Sequence, residues 1–111
     1  MREIRARFTD NILDGRYEVY DDKNLIERGK YKNGKKDMLW VGYYKNGKIK
    51  SQKFYHNGEL DGVFNLYDKN GKIIIRGNFS KNKKIGEWEL FRFFYLYKKL
   101  KKYWHFYYKM L

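Results

Sequence analysis

Aromatic side chains recur along this chain at intervals of 23 or 24 residues. The members of three such series are Tyr17, Trp40, Phe64 and Trp88; Tyr20, Tyr43, Tyr67 and Phe91; and Phe8, Tyr31, Tyr55 and Phe79. Parallel series of this kind are typical of a chain built from one repeated structural unit. The sequence therefore predicts a repeat protein over residues 1–91, followed by a different segment over residues 92–111.

Asn-Gly pairs divide each unit into extended runs. They stand at residues 33–34, 46–47, 57–58 and 70–71. Asn-Gly favours two-residue type I′ hairpins because both positions need positive φ. The runs between the pairs are rich in Tyr, Phe, Trp, Ile and Val, which favour strands. With roughly eight residues per strand, this spacing predicts a mainly β fold, an antiparallel meander with two strands per 23–24-residue unit.

Small residues accompany the aromatic series. Gly29 stands two positions before Tyr31, and Gly77 two positions before Phe79. Residues two apart share a face of a strand, so we expect a large ring from the neighbouring strand to cover each glycine. Lys53 occupies the matching position before Tyr55 and breaks this pattern. Aromatic positions three apart, such as 40 and 43, indicate either a bulge or aromatic side chains on both faces.

This arrangement resembles the MORN repeat, and more closely the bacterial variant found in YwqK-type antitoxin proteins. The resemblance covers residues 5 to 91 and rests on the segments DGRYEVY, KYKNGKKD, DMLWVGYYKNGKIKSQKFYHNGELDG and DGVFNLYDKNGKIIIRGNFSKNKKIGEW. It implies hairpin repeats, and a protein that binds and neutralises a cognate toxin. Met38 at an expected glycine, and DDKNL where Asn-Gly-Lys is expected, indicate locally altered turns.

The last twenty residues form a basic, aromatic tail that contains six Lys or Arg and no acid. At helical spacing its polar residues fall on one face, namely Lys98, Lys101, Lys102, His105 and Lys109. Phe93, Leu96, Tyr97, Leu100, Tyr103, Trp104, Tyr107 and Leu111 fall on the other face. This pattern predicts an amphipathic helix or an irregular cap.

Three roles of the tail remain open. Its apolar side can cover the last strand, since repeat arrays need capped ends; we favour this interpretation. Alternatively, the tail binds an anionic membrane surface through Lys98, Lys101, Lys102, Trp104 and Lys109. The third alternative is an aberrant end that promotes self-association, so that the chain is a structural, oligomer-forming repeat fragment.

The net charge of +13 permits contact with polyanions. Packing explains most of the aromatic residues, and solvation explains most of the lysines, so we expect only nonspecific nucleic-acid binding. The chain has no Cys and no apolar run long enough to span a bilayer. Its charged first residues, MREIRARF, do not predict a secretory signal, and the expected location is the cytoplasm.

Side chains suited to catalysis have simpler roles. Asp14, Asp37 and Asp61 recur with the repeat and indicate turns. His56 and His105 are far apart and lack Cys partners, so no metal site is expected. The sequence predicts no enzyme, no catalytic residue and no cofactor.

The function that the sequence favours is a non-enzymatic protein-binding module, with an antitoxin or immunity protein as the specific hypothesis. A sheet that presents Tyr, Trp and Lys offers a preformed docking surface. Tyr44, Lys50 and Tyr55 lie in the most regular unit and are the predicted partner contacts. The basic charge favours a partner with an acidic patch, whose binding weakens in high salt.

Overall fold

The chain forms one antiparallel β-sheet in which sequence neighbours are also sheet neighbours. The computed structural model describes residues 1–91, and these contain eight strands in the order β1 to β8. The strands are β1 (Arg2–Thr9), β2 (Ile12–Asp21), β3 (Asn24–Lys32), β4 (Lys35–Tyr43), β5 (Ile49–His56), β6 (Glu59–Tyr67), β7 (Ile73–Ser80) and β8 (Lys83–Leu90). The predicted mainly β meander is confirmed. The predicted tail helix and its membrane or partner contacts lie outside the described residues.

Two-residue turns connect five of the seven described strand pairs. Asn33 and Gly34 have φ of 51° and 80°, and Asn57 and Gly58 have φ of 50° and 81°. Both residues of each pair are therefore left-handed, as a type I′ hairpin requires. The other three turns reach the same conformation without glycine, at residues 10–11, 22–23 and 81–82. Asn, Asp and Lys thus take φ values that glycine would adopt at lower cost.

The prediction of two-residue turns is wrong at the other two Asn-Gly pairs. Between β4 and β5 the amide of Tyr44 donates to the carbonyl of Lys48 at 2.9 Å, and the amide of Gly47 donates to the carbonyl of Tyr44 at 3.0 Å. The loop that these hydrogen bonds close contains three residues, 45–47, and of these only Gly47 has positive φ, at 88°. Residues 68–72 repeat this arrangement.

The difference in loop length explains the irregular period of the repeat. The turn after β2 contains only Asp22 and Lys23, whereas the equivalent loop after β4 contains three residues. One residue fewer in the first unit gives a spacing of 23, and the later units have 24. The DDKNL segment is therefore a locally altered turn, as predicted.

Asp14, Asp37 and Asp61 were predicted to form turns, and this prediction is wrong: all three lie inside strands. Each of these aspartates lies at a β-bulge, where its strand has more residues than the preceding strand with which it pairs. Ala6 pairs with Tyr17 and Phe8 pairs with Leu13, so one residue of β1 faces three of β2. Such bulges need a left-handed residue, and Gly15, Gly62 and Gly86 supply it with φ of 109°, 127° and 67°.

Met38 occupies the same bulge position in β4 with φ of 63°. A side chain in this conformation is strained, and the Met38 side chain is 58% exposed, so it contributes little burial. We predict that Met38→Gly raises the free energy of unfolding by roughly 0.5–1 kcal/mol. Urea unfolding of the full chain measures this gain, with Gly62→Ala as the reverse substitution that should destabilise. An unchanged midpoint for Met38→Gly would contradict the strain assignment.

Most of the core lies on one side of the sheet, here called the aromatic face and defined by Tyr17, Tyr31, Trp40, Tyr55, Phe64, Phe79 and Trp88. Trp40 lies 5.7 Å from Tyr17, 5.2 Å from Tyr31 and 6.3 Å from Tyr55, measured between ring centroids. Phe64, Phe79 and Trp88 form a second group with centroids 5.1–5.6 Å apart. Edge-to-face and tilted packing of this kind stabilises both groups.

The glycines predicted to lie under aromatic rings do so. A Cβ built on Gly29 would overlap the indole of Trp40, and one built on Gly77 would overlap the indole of Trp88. Each tryptophan thus packs directly on the backbone of the preceding strand. Trp40 is also fixed by its Nε1, which donates to the carbonyl of Lys30 at 3.1 Å. Within residues 1–91 the buried apolar side chains are Val19, Trp40, Val41 and Ile75.

The opposite side of the sheet, here called the polar face, carries one residue from each strand in a continuous row. The row comprises Arg5, Glu18, Arg28, Val41, Gln52, Asn65, Arg76 and Glu89, each paired with the next. The guanidinium of Arg28 lies 6.0 Å from the ring of Tyr43, on this face, whereas Trp40 packs on the aromatic face. Both faces therefore carry aromatic side chains.

Candidate protein-binding surfaces

The β4–β5 loop brings together two of the three predicted contact residues. The ammonium of Lys50 lies 5.8 Å from the ring centroid of Tyr44. The Tyr44 hydroxyl donates to the carbonyl of Tyr67 at 2.6 Å, which fixes the ring between two loops of the repeat. Tyr44 and Lys50 thus lie side by side, and the ring attracts the cation.

Tyr55, the third predicted contact, belongs to the aromatic face. Its ring packs against Trp40, and the ammonium of Lys36 lies 5.2 Å from its centroid. The same ammonium lies 4.6 Å from the ring of Trp40. Burial raises the pKa of the Tyr55 hydroxyl, and nearby Glu27 and Tyr31 raise it further. Tyr55 is therefore a packed residue whose ring edge and stacked lysine can still contact a partner.

A cleft of about 400 Å³ lies beside Tyr44 and Lys50. Its lining includes Glu27, Gly42, Tyr44, Lys50 and Lys53. Gly42 keeps the cleft open, because a Cβ there would lie 2.7 Å from the hydroxyl oxygen of Ser51. The cleft can receive a side chain of a partner, and its cations favour a carboxylate.

Lys53 is the most constrained cation of this region. It stands where the other units have Gly29 and Gly77, and its ammonium lies 5.9 Å from the ring of Phe64. Burial lowers the pKa of Lys53, the charge of Lys36 lowers it further, and Lys50 adds a smaller effect. Glu27 opposes these effects. We call Lys36, Lys50 and Lys53 the lysine group. Glu27 is the one carboxylate among the charges that act on Lys53.

We predict that Lys53→Met raises the free energy of unfolding by roughly 0.5–1 kcal/mol near pH 7. The gain should be near the lower end of this range, because the ammonium of Lys53 keeps part of its water. The folded-state pKa of Lys53 is below its ordinary value of 10.5, so folding disfavours the protonated form of its side chain. This cost is complete below the folded-state pKa and disappears as the pH rises from there to the unfolded value. The advantage of Met should therefore shrink in alkaline buffer.

Urea unfolding of both proteins between pH 7 and pH 10 measures this difference. Tyr31 and Tyr55 also have raised pKa values, but they are present in both proteins and cancel in the comparison. Lys72→Met, at an exposed position, is the matched control and should have no pH-dependent advantage. A constant difference between Lys53→Met and the parent across this range would refute the desolvation of Lys53.

On the polar face, several side chains of the strands at the C-terminal end bond to one another. The oxygen of the Gln52 amide accepts from Tyr67 at 2.7 Å and from Asn65 at 3.1 Å. Arg76 and Glu89 form an exposed ion pair at 3.2 Å. These contacts leave little unpaired charge at that end of the row.

The strands at the N-terminal end of the polar face instead gather cations. Arg16 and Lys30 are directly opposite each other on β2 and β3, which is an unfavourable like-charge pair. The Arg7 stem lies across Gly15, where a Cβ would come within 2.9 Å of its Cδ. Arg5 lies 4.6 Å from the ring of Tyr20, and its Nε donates to the carboxylate of Glu3 at 2.9 Å. Arg5, Arg7, Arg16 and Lys30, here called the cationic corner, are all exposed.

The cationic corner was not among the predicted sites. The alternation of Arg5 and Arg7 within one strand was visible in the sequence, but the approach of Arg16 and Lys30 depends on the strand register. Between residues 1 and 91 no group of three or more His, Cys, Asp or Glu side chains is placed to hold a metal ion. The same residues include no helix of the length and apolarity needed to cross a bilayer.

The chain matches no protein-family model, and comparisons with curated proteins and with solved structures gave no significant match.

Proposed function

We propose that this chain is a non-enzymatic protein-binding module whose sheet docks an acidic partner. The observation that carries this proposal is the lysine group. The ammonium of Lys36 lies over the rings of Trp40 and Tyr55, that of Lys50 over Tyr44, and that of Lys53 over Phe64. Lys53 is half-buried, and its pKa is lowered by the loss of water and by the other two lysines. A carboxylate supplied by a partner would offset both costs.

The shape of the surface favours a protein rather than a small molecule. The described strands form a single-layered sheet of eight strands, which is broad and thin. Its clefts are open and shallow, whereas small-molecule sites enclose most of their ligand. Aromatic rings with cations above them are typical of the residues that contribute most to protein interfaces.

The partner that we propose is a toxin, with this chain as its antitoxin or immunity protein. This part of the proposal rests on the resemblance of residues 5 to 91 to the MORN variant of YwqK-type antitoxins. Neutralisation requires a preformed complementary surface and no catalysis. Tyr44, whose hydroxyl bonds to the carbonyl of Tyr67, and Tyr55, which packs on Trp40, meet that requirement, because their rings lose little conformational freedom on binding.

The test uses the tagged full-length chain to capture proteins, followed by affinity measurement with the purified partner. We expect an acidic partner whose association slows strongly between low salt and 1 M salt. Lys50→Glu with Lys53→Glu should abolish capture. Lys69→Glu with Lys81→Glu makes the same change in net charge at exposed loop positions and should retain capture. Equal capture by both double variants would refute the role of the lysine group.

The basic tail carries a second proposal, binding to anionic membranes. The observation behind it is the sequence of residues 92–111, with six basic residues and no acid. Each lysine near an anionic surface contributes on the order of 1 kcal/mol. Co-sedimentation with phosphatidylserine vesicles should occur for the full chain and be lost for a chain that ends at Phe91. Unchanged sedimentation of the shorter chain would exclude a role of the tail.

A further inference from the structure

The outer edge of β1 has no strand beside it among the described residues. β3, β5 and β7 occupy the same place in their units as β1 does in the first, and each of them is paired on both sides. All eight residues of β1 are exposed. Backbone donors and acceptors along such an edge are available to an added strand.

On the aromatic face, the β1 edge carries a ring whose packing is incomplete. Phe8 is equivalent to Tyr31, which packs between Tyr17 of β2 and Trp40 of β4. It is also equivalent to Phe79, whose ring lies 5.4 Å from Phe64 and 5.1 Å from Trp88. Within residues 1–91 no strand lies on the outer side of Phe8, which is 60% exposed. Ile4, on the same face of β1, is 56% exposed. An added strand with apolar side chains would bury both.

On the polar face, the same edge carries the cationic corner. Arg5 and Arg7 project from β1, and Arg16 and Lys30 follow in the next two strands. A shallow groove of about 230 Å³ is lined by Arg5, Arg7 and Arg16, together with the single carboxylate of Glu18. Polar side chains of an added strand would stand next to these cations. Acidic side chains would therefore pair across the strands, and basic ones would be repelled.

We propose that the β1 edge binds an extended segment of a partner protein in which acidic and apolar side chains alternate. The acidic residues face the cationic corner, the apolar residues cover Ile4 and Phe8, and the backbones pair as in the rest of the sheet. A second copy of this chain is a poor occupant, because its β1 would bring three more arginines to the same edge. This inference rests on the proposed function and names the part of the partner that is recognised.

The pairing of β6 with β7 provides a template for this interaction. There Gly62 is opposite Phe79, Val63 is opposite Asn78, and Asn65 is opposite Arg76. The positions in β1 equivalent to 79, 78 and 76 are Phe8, Arg7 and Arg5. A β6-like peptide would thus place its own phenylalanine, equivalent to Phe64, beside Phe8. Glutamates at the positions of Val63 and Asn65 would stand opposite Arg7 and Arg5.

The probe is therefore a nine-residue peptide with the sequence of β6 carrying Val63→Glu and Asn65→Glu, ELDGEFELY. One control peptide, ELDGKFKLY, reverses the two charges that face the arginines, and another, ELDGEAELY, removes the ring. Calorimetric titration of the full-length chain should show binding of the first peptide and at least about tenfold weaker binding of each control. Amide hydrogen exchange should slow in β1 and remain unchanged in β8.

The matched variants exchange charges on the protein. Arg5→Glu with Arg7→Glu should reverse the preference, so that ELDGKFKLY binds at least about tenfold more tightly than ELDGEFELY. Lys69→Glu with Lys72→Glu changes the net charge equally in a distant loop and should retain the parent's preference. Circular dichroism of each variant checks that the sheet is intact. The proposal would be overturned if the charge exchange at Arg5 and Arg7 left the peptide affinities unchanged, or if the peptide slowed amide hydrogen exchange in a strand other than β1.

Two further outcomes separate this inference from the proposed function. If the tagged chain captures its partner equally well with Arg5→Glu and Arg7→Glu, the β1 edge is not the recognition element, although the chain remains a protein-binding module. If the peptide binds at β1 but the lysine group proves dispensable for capture, the proposal that the lysine group docks the partner is refuted, whereas the proposal for the β1 edge is retained. A dimer of the parent chain that the two glutamates dissociate, detected by sedimentation, would assign the edge to a second copy and overturn the acidic-partner assignment.

Discussion

Trp40→Ala is expected to lower the free energy of unfolding by about 3–5 kcal/mol, the largest effect of any single truncation in residues 1–91. Trp40 is 3% exposed and contacts rings from three other strands, Tyr17, Tyr31 and Tyr55. Its removal leaves Gly29 uncovered and also removes the hydrogen bond to the carbonyl of Lys30. The loss combines buried area, ring packing and one hydrogen bond. Urea unfolding of the full chain, followed by circular dichroism, measures it.

Trp88→Ala is the matched control, because Trp88 covers Gly77 in the same way. Trp88 contacts Phe64 and Phe79 and lies in the last described strand, where it is less buried than Trp40. Its removal should therefore cost at least about 1 kcal/mol less than that of Trp40. Loss of less than about 1 kcal/mol for Trp40→Ala would show that the aromatic face is not the core.

Gly29→Ala is expected to lower the free energy of unfolding by about 2–3 kcal/mol, although it adds a single methyl group. The added Cβ would overlap the indole of Trp40, so either the ring or the backbone of β3 must move. Gly29 does not have positive φ, so this cost comes from overlap and not from backbone strain. The double variant Gly29→Ala with Trp40→Phe should lose less than the sum of the two single variants, because the smaller ring leaves space.

Gly47→Ala provides the contrast to Gly29→Ala. No atom lies within 4 Å of a Cβ built on Gly47, but its φ is 88°. This substitution should cost about 1 kcal/mol through backbone strain alone. Trp40→Phe should add to that cost without coupling, since the two positions share no contact. Additive losses for Gly29→Ala and Trp40→Phe would contradict the packing of the indole on the glycine.

The aromatic period was sufficient to predict the meander, because strands in sequence order and a repeated turn leave few other arrangements. Turn types were harder to predict from the Asn-Gly pair. The same dipeptide closes a two-residue turn at Asn57 and a three-residue loop at Asn46. The strand register distinguishes them, and the register depends on pairing across the sheet. The bulges at Asp14, Asp37 and Asp61 likewise become visible only when each strand is placed beside its neighbour.

The candidate surfaces were predictable to the extent that local sequence determines them. Tyr44 and Lys50 meet because one loop carries both. Lys53 was marked by its break from the glycine pattern, but its lowered pKa arises from Lys36 and Lys50 on neighbouring positions of the sheet. The cationic corner required the pairing of Arg16 with Lys30, which no sequence window contains. Contacts between strands therefore account for what sequence reasoning missed.

The aromatic series mark successive strands of one sheet, and Trp40 and Trp88 each pack on a glycine of the preceding strand. Proton NMR of the full chain tests this directly, because an indole ring above a glycine shields its Hα protons. We expect Hα resonances of Gly29 and Gly77 well upfield of the other glycines, with nuclear Overhauser effects to the indole protons of Trp40 and Trp88, respectively. Unshifted Hα resonances of Gly29 and Gly77, without these nuclear Overhauser effects, would show that the two indole rings do not pack on these glycines.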